Sequence, residues 1–132
     1  MHAWEWARKK YGEQGVVLKA EVRLSDCLDL LDLNGTRELK RVFAAFSERL
    51  KGLGVPLPAN KGKNHGLDRA VINFFAEESQ PAVRVIRAAF IEGERLWEGS
   101  DLWEEAHVQL AVRDIALLRN LARVEDPENE LS

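Results

Sequence analysis

Within "EEAHVQLAVRD", residues 104–114, two chemistries interleave. Glu105, His107 and Gln109 carry a carboxylate, an imidazole and an amide, whereas Ala106, Val108, Leu110 and Val112 are apolar. A period of two marks a pleated strand, on which residues two apart project to the same side at about 7 Å. A carboxylate beside an imidazole can hold the ring charged or orient it neutral. An amide next in the row can bind a sugar hydroxyl or a base edge. These three are the candidate catalytic residues. A half-exposed strand with its polar residues in water carries the same pattern, and residue types alone do not separate the two readings.

Three further residues are candidates for holding a cofactor: Ser100, Trp103 and Asn73. Trp97 and Trp103 flank a Gly99–Ser100 turn, either as an aromatic platform for a base or sugar or as lids on the core. Asn73 interrupts an apolar helical stripe, either exposed at its edge, hydrogen-bonded to a neighbouring backbone, or in contact with a ligand. His2, His65 and His107 are scattered with no i, i+4 pairing, so no metal site is expected. Ser25, Ser47, Ser79 and Ser100 lack a Gly-x-Ser-x-Gly setting. "GKNHG" is too short for a phosphate loop. The acids of "DCLDLLD" have no spacing that supports glycoside hydrolysis. The same acids surround the single cysteine, Cys27, and quiet its thiol. One cysteine forms no internal disulfide, which points to the cytoplasm.

The elements that must position these residues belong to a chain of 132 residues, long enough for one core. Hydrophobic residues make up 45% and charged residues 31%, and the net charge of -3 lacks the basic excess of a dedicated nucleic-acid surface. Arg8, Lys9 and Lys10, or Lys61 and Lys63, read as solvated faces or loops. No apolar run reaches the length of a membrane span, and no signal-peptide core is present.

Residues 2–11 read as a short helix with Trp4, Ala7 and Tyr11 on one face and Trp6 off it. "GVVLKAEVRL" alternates as a strand with Val16, Leu18, Ala20, Val22 and Leu24 inward, and "CLDLLDL" follows as a short extended segment or loop. Residues 36–51 predict a helix with Leu39, Val42, Phe43, Phe46, Leu50 and Leu53 as its stripe, capped by Asn34 or Thr36. A long loop, "VPLPANKGKNHG", leads to a second helix, "LDRAVINFFAEES". "AVRVIRAAFIEG" predicts a strand inside the sheet, followed by an excursion and the strand 105–112, antiparallel to it or a near neighbour. "DIALLRNLARVED" reads as a helix capped by Asp114, with Ile115, Leu118, Leu121 and Ala122 as its stripe. The expectation is a single α+β domain over 1–124, a small mixed or antiparallel sheet with flanking helices, and a polar tail at 125–132.

Four stretches taken together carry a resemblance: "AWEWARKKYG", "VVLKAEVRLSDCLDLLD", "NKGKNHGLDRAVINFF" and "IRAAFIEGERLWEGSDLWEEAHVQLAVRD". In this order they resemble an uncharacterised bacterial family with an ADP-ribosyltransferase-like, poly(ADP-ribose) polymerase-like fold, over nearly the whole chain up to Asp114. The resemblance implies that NAD is the substrate. It also implies that an acid near the start of a late strand binds the nicotinamide ribose and stabilises an oxocarbenium-like transition state. Glu105 is that acid, with His107 or Gln109 as alternatives for the position. Such proteins carry a Tyr-His-Gly-Thr strand and a Gly-x-Gly-Val-Tyr-Phe strand ahead of the Trp-rich helix, and neither motif stands here. The chain is therefore expected to be the C-terminal portion of such a domain, with catalysis impaired and Trp6 lacking its neighbour. The resemblance further implies a strand after Arg113, where the residues themselves read as helix.

Three functions follow as expectations. The first is a mono-ADP-ribosyltransferase-like domain acting on protein or nucleic acid. The second is a non-enzymatic interaction module whose exposed tryptophans bind another chain or a missing N-terminal segment. The third is an RNA-processing transferase on a related fold, using Lys61 and Lys63.

Overall fold

The computed structural model describes residues 2–128, so the far end of the tail read at 125–132 lies outside the described residues. The chain is mixed α+β and divides into two compact units, residues 1–23 with 115–132 and residues 24–114. Among the described residues, no helix is long and apolar enough to cross a membrane.

The smaller unit contains helix α1 (His2–Tyr11) and strand β1 (Leu18–Val22). Trp4 and Ala7 are buried, one turn apart on one face of α1. Arg8, on the next turn, lies over the Trp4 ring at 5.5 Å and is held by Asp126 and, at 3.2 Å, by Glu128. Trp6 points elsewhere and is half exposed, edge-on to Tyr11 at 6.1 Å with Lys10 over its ring. Strand β1 is shorter than its alternation predicts, and its expected inward face is not buried: Leu18 is exposed and Val22 only half-buried.

The partner of β1 corrects the reading of residues 114–126. A 3-10 turn at Ile115–Leu117 leads into a strand over Leu118–Arg123, paired antiparallel with β1 with Val22 opposite Leu118 and Leu18 opposite Arg123. The stripe that suggested a helix is not a buried face, since Ile115 is 80% and Leu121 62% exposed. Only Leu117 is buried. Asn120 adopts φ 53°, a left-handed conformation that asparagine tolerates and a helix interior does not. No α-helix follows Asp114; its Oδ2 accepts two hydrogen bonds from the Arg84 guanidinium at 2.9 and 2.7 Å.

The larger unit has a three-stranded sheet. Its strands are β2 (Cys27–Asp29), β5 (Val85–Arg95) and β6 (Trp103–Val112), in the order β2-β5-β6, with β5 parallel to β2 and antiparallel to β6. Helices α2 (Leu33–Gly52) and α3 (Gly66–Glu78) cover one face. Leu28, Phe75, Ala76, Val83 and Ile86 form the buried core there, with Leu39, Val42 and Ile72 packed against it. The buried Leu, Val, Ile and Phe side chains among these each contribute roughly 1.5–3 kcal/mol on leaving water. Helix α2 starts earlier than its stripe suggests, because the Asp32 carboxylate accepts from Asn34 N–H at 3.1 Å; Asn34 and Thr36 lie inside the helix. Its first turn lies close on β2: a Cβ at Gly35 would fall 2.0 Å from the Asp29 carbonyl oxygen. The long loop makes a small hairpin of β3 (Asn60–Lys61) and β4 (Asn64–His65). Asn60 Oδ1 accepts from the Leu67 and Asp68 N–H groups and so caps α3 across the hairpin.

Candidate functional site

The β5–β6 register decides which way the polar row points. Ile86 lies opposite Ala111, Ala88 opposite Gln109, Phe90 opposite His107 and Glu92 opposite Glu105. Cross-strand partners share a face, and Ile86 belongs to the core beneath the helices. Glu105, His107 and Gln109 therefore project to the helix side of the sheet. The apolar list takes the other side, where Val108 is 54% and its neighbour Ile91 60% exposed, although Val85 at the far end of that row is fully buried. The alternation gave the period of the strand, but its polar half is the one turned toward the helices.

On that face an open groove of about 860 Å³ runs between α2, α3 and the sheet. Ala88 and Ala111 form a floor of small side chains, with Gln109 beside them. Leu39, Lys40 and Phe43 line it from α2, and Asp68, Ile72 and Asn73 from α3. The helix covers stop short of the strand ends, which leaves Phe43 38% and Phe90 45% exposed at the groove.

Two of the candidate residues, Gln109 and Asn73, line this groove. Asn73 is exposed, as a residue at the stripe edge would be, and its Oδ1 accepts from Arg113 Nη1 at 2.8 Å rather than from a neighbouring backbone group. His107 stands next along β6, half-buried, with its ring stacked on Phe90 at 6.3 Å between centroids. Gln109 Nε2 approaches His107 Nε2 to 2.5 Å. With the amide nitrogen donating, the neutral ring carries its own proton on Nδ1. Glu92 Oε1 lies 3.8 Å from the same His107 nitrogen. The carboxylate, imidazole and amide thus do come together, but the carboxylate nearest the ring belongs to β5. Glu105 lies opposite Glu92, exposed, and is not among the residues that line the groove.

Ser100 and Trp103 are placed otherwise. Ser100 is buried in the β5–β6 connection, where its hydroxyl accepts from Leu102 N–H at 2.9 Å and its carbonyl accepts from Arg95. The Arg95 guanidinium also lies 5.0 Å from the centre of the Trp103 ring. These contacts hold the connection in shape, and neither residue lines the groove.

Sequence reasoning passed over Glu92, Phe90 and Arg113. The signal that finds the first two is register: once the strands pair as a hairpin, whatever lies opposite Glu105 and His107 shares their face. Arg84 and Arg87, which interrupt the apolar run of β5, serve as ion-pair partners of Asp114 at 2.7 Å and Asp29 at 3.7 Å. Among the described residues no group of three His, Cys, Asp or Glu side chains assembles to hold a metal ion. No protein-family profile, curated protein or solved structure matches this chain.

Proposed function

We propose that the groove of the larger unit binds a nucleotide, and that the reaction it serves is the NAD-dependent transfer of ADP-ribose to a macromolecule that the resemblance implies. The observation that carries this reading is the direction of the β6 polar row, turned toward the helices with Gln109 in the groove. Its volume falls within the range of roughly 300–1,000 Å³ usual for small-molecule sites and is large enough for a dinucleotide. Exposed ring faces at Phe43 and Phe90 suit a flat heterocycle. Gln109 and Asn73 offer amides to hydroxyl and carboxamide groups.

In this reading the bound nucleotide supplies the glycosidic bond that breaks, and the chain supplies charge and orientation. Glu105 and Glu92 lie opposite each other on the helix side of the sheet, further along β6 from Gln109, with Glu92 3.8 Å from His107; in this reading they meet the positive charge that develops as nicotinamide leaves. His107 is positioned by the Phe90 stack and by Gln109, and so holds a fixed geometry toward those acids. An ADP-ribosyltransferase-like fold is part of the proposal, with the larger unit as its helix-backed sheet.

Calorimetric titration of the chain with NAD and with ADP-ribose tests the reading. Binding of both is expected, weakened tenfold or more in Gln109→Ala. No heat from either ligand at millimolar concentration would overturn it. If the chain also self-associates in sedimentation, the exposed outer side of the sheet around Ile91 and Val108 becomes the functional surface, and the protein is an interaction module.

A further inference from the structure

The charged residues lining the groove are unevenly matched. Lys40, Arg69 and Arg113 stand there against one acid, Asp68, in a chain whose net charge is -3. Elsewhere in the same unit Arg49, Arg84, Arg87 and Arg95 each meet a carboxylate, Glu78, Asp114, Asp29 and Asp101 respectively. Among the described residues no carboxylate lies within ion-pair distance of Lys40, Arg69 or Arg113. Asp68 sits in the first turn of α3, where the helix itself favours a negative charge.

The cations also converge. Arg113 Nη1 donates to Asn73 Oδ1 at 2.8 Å, which ties the end of β6 to the middle of α3. Arg69 precedes Asn73 by four residues on α3, so the two side chains are neighbours on one helix face, about 6 Å apart at Cβ. Arg69 and Arg113 thus both line the groove on the Asn73 side, Arg113 bonded to the amide and Arg69 one turn before it, with Lys40 on the facing helix. A neutral asparagine holds Arg113 in place without discharging it. A planar fork of donors suits the oxygens of phosphate, and two forks suit two phosphates better than they suit a single carboxylate.

We infer that Arg69 and Arg113, steadied by Asn73, form a subsite for the diphosphate of a nucleoside-diphosphate ligand. The inference rests on the groove being a ligand site and adds which end of the ligand goes where. Gln109 stands four residues before Arg113, which directly follows the last residue of β6, about 13 Å away in extended chain. The diphosphate therefore lies at the Arg113 end, and the reactive sugar and ring lie toward Gln109 and His107.

The test is titration of the wild-type chain, Arg69→Gln and Arg113→Gln with ADP-ribose, inorganic pyrophosphate and uncharged adenosine, each at low and at high salt. Among the described residues Arg69 has no hydrogen-bond or ion-pair partner to lose and it is exposed, so its variant folds as the wild type does, as circular dichroism would confirm. Each substitution is expected to weaken ADP-ribose and pyrophosphate at least tenfold and to flatten their salt dependence, leaving adenosine unchanged. ADP-ribose bound equally well by all three proteins overturns the subsite and leaves the groove reading standing. Pyrophosphate bound as tightly as ADP-ribose, with no binding of adenosine, supports the subsite and overturns the nucleotide reading. Silence from all three ligands overturns both.

Discussion

Cys27 carries the only thiol of the chain, at the first position of β2. Burial raises its pKa, the Asp29 carboxylate pushes the same way, and Arg87 partly opposes them through its charge and its backbone hydrogen bond. A thiol held protonated is a poor nucleophile. Iodoacetamide should label the native chain at pH 8 at least tenfold more slowly than the urea-unfolded chain; equal rates would contradict a protected thiol. The sign of the linkage follows from the same shift. The folded state holds the thiol proton more tightly than the unfolded chain. Cys27 therefore leaves stability untouched at neutral pH and erodes it only as the pH climbs past the ordinary thiol value of about 8.5. Asp29 meanwhile has a second task, since its Oδ1 accepts from Leu31 N–H at 3.0 Å where β2 turns toward α2.

At the scale of elements, the join between β2 and α2 is the tightest approach described. Gly35 lies in the first turn of α2, and a methyl group there would meet the Asp29 carbonyl oxygen and carbon at 2.0 and 2.9 Å. Both are backbone atoms, so neither can swing aside. Gly35→Ala should cost at least about 1–3 kcal/mol in urea denaturation, the range for overpacking. Gly52→Ala, at the far end of the same helix with nothing within 4 Å, should be neutral or gain up to about 1 kcal/mol. Equal effects at the two sites would mean that α2 does not lie on β2 this closely. The helices and β6 were legible because each carries its own period, and β5 because its apolar run fills both faces of a strand inside the sheet. The final strand was not. Ile115, Leu118, Leu121 and Ala122 recur at helical spacing, and only pairing with Leu18–Val22, far away in the chain, makes that segment extended. The facing of β6 was illegible for a different reason. Periodicity states how often side chains change sides, while the choice of side depends on where the helices lie. Val108 and Ile91 are outside because Ile86 and Ala111 are inside. Asn73 and Gln109 could be singled out as polar residues in an apolar setting, whereas Glu92 and Arg113 acquire their relevance from partners on other elements.

For the molecule as a whole, the order of the two units along the chain matters. Residues 24–114 are inserted between the two strands of the smaller unit, where Val22 pairs with Leu118 and Arg23 N–H donates to the Leu117 carbonyl. Those strands meet while everything strung between them stays compact. With the insert unfolded, closing a loop of that length costs on the order of 4 kcal/mol, and a lone two-stranded sheet is marginal even without that burden. The insert has its own core in Leu28, Phe75, Ala76, Val83 and Ile86 and carries no such debt. Amide hydrogen exchange should therefore find the Leu18–Val22 and Leu118–Arg123 amides no better protected than the central amides of β5; the reverse order would sink the argument. The dependence runs one way: the small unit's two strands can part while the insert keeps its own core, but once the insert melts those strands must find each other across a long slack chain.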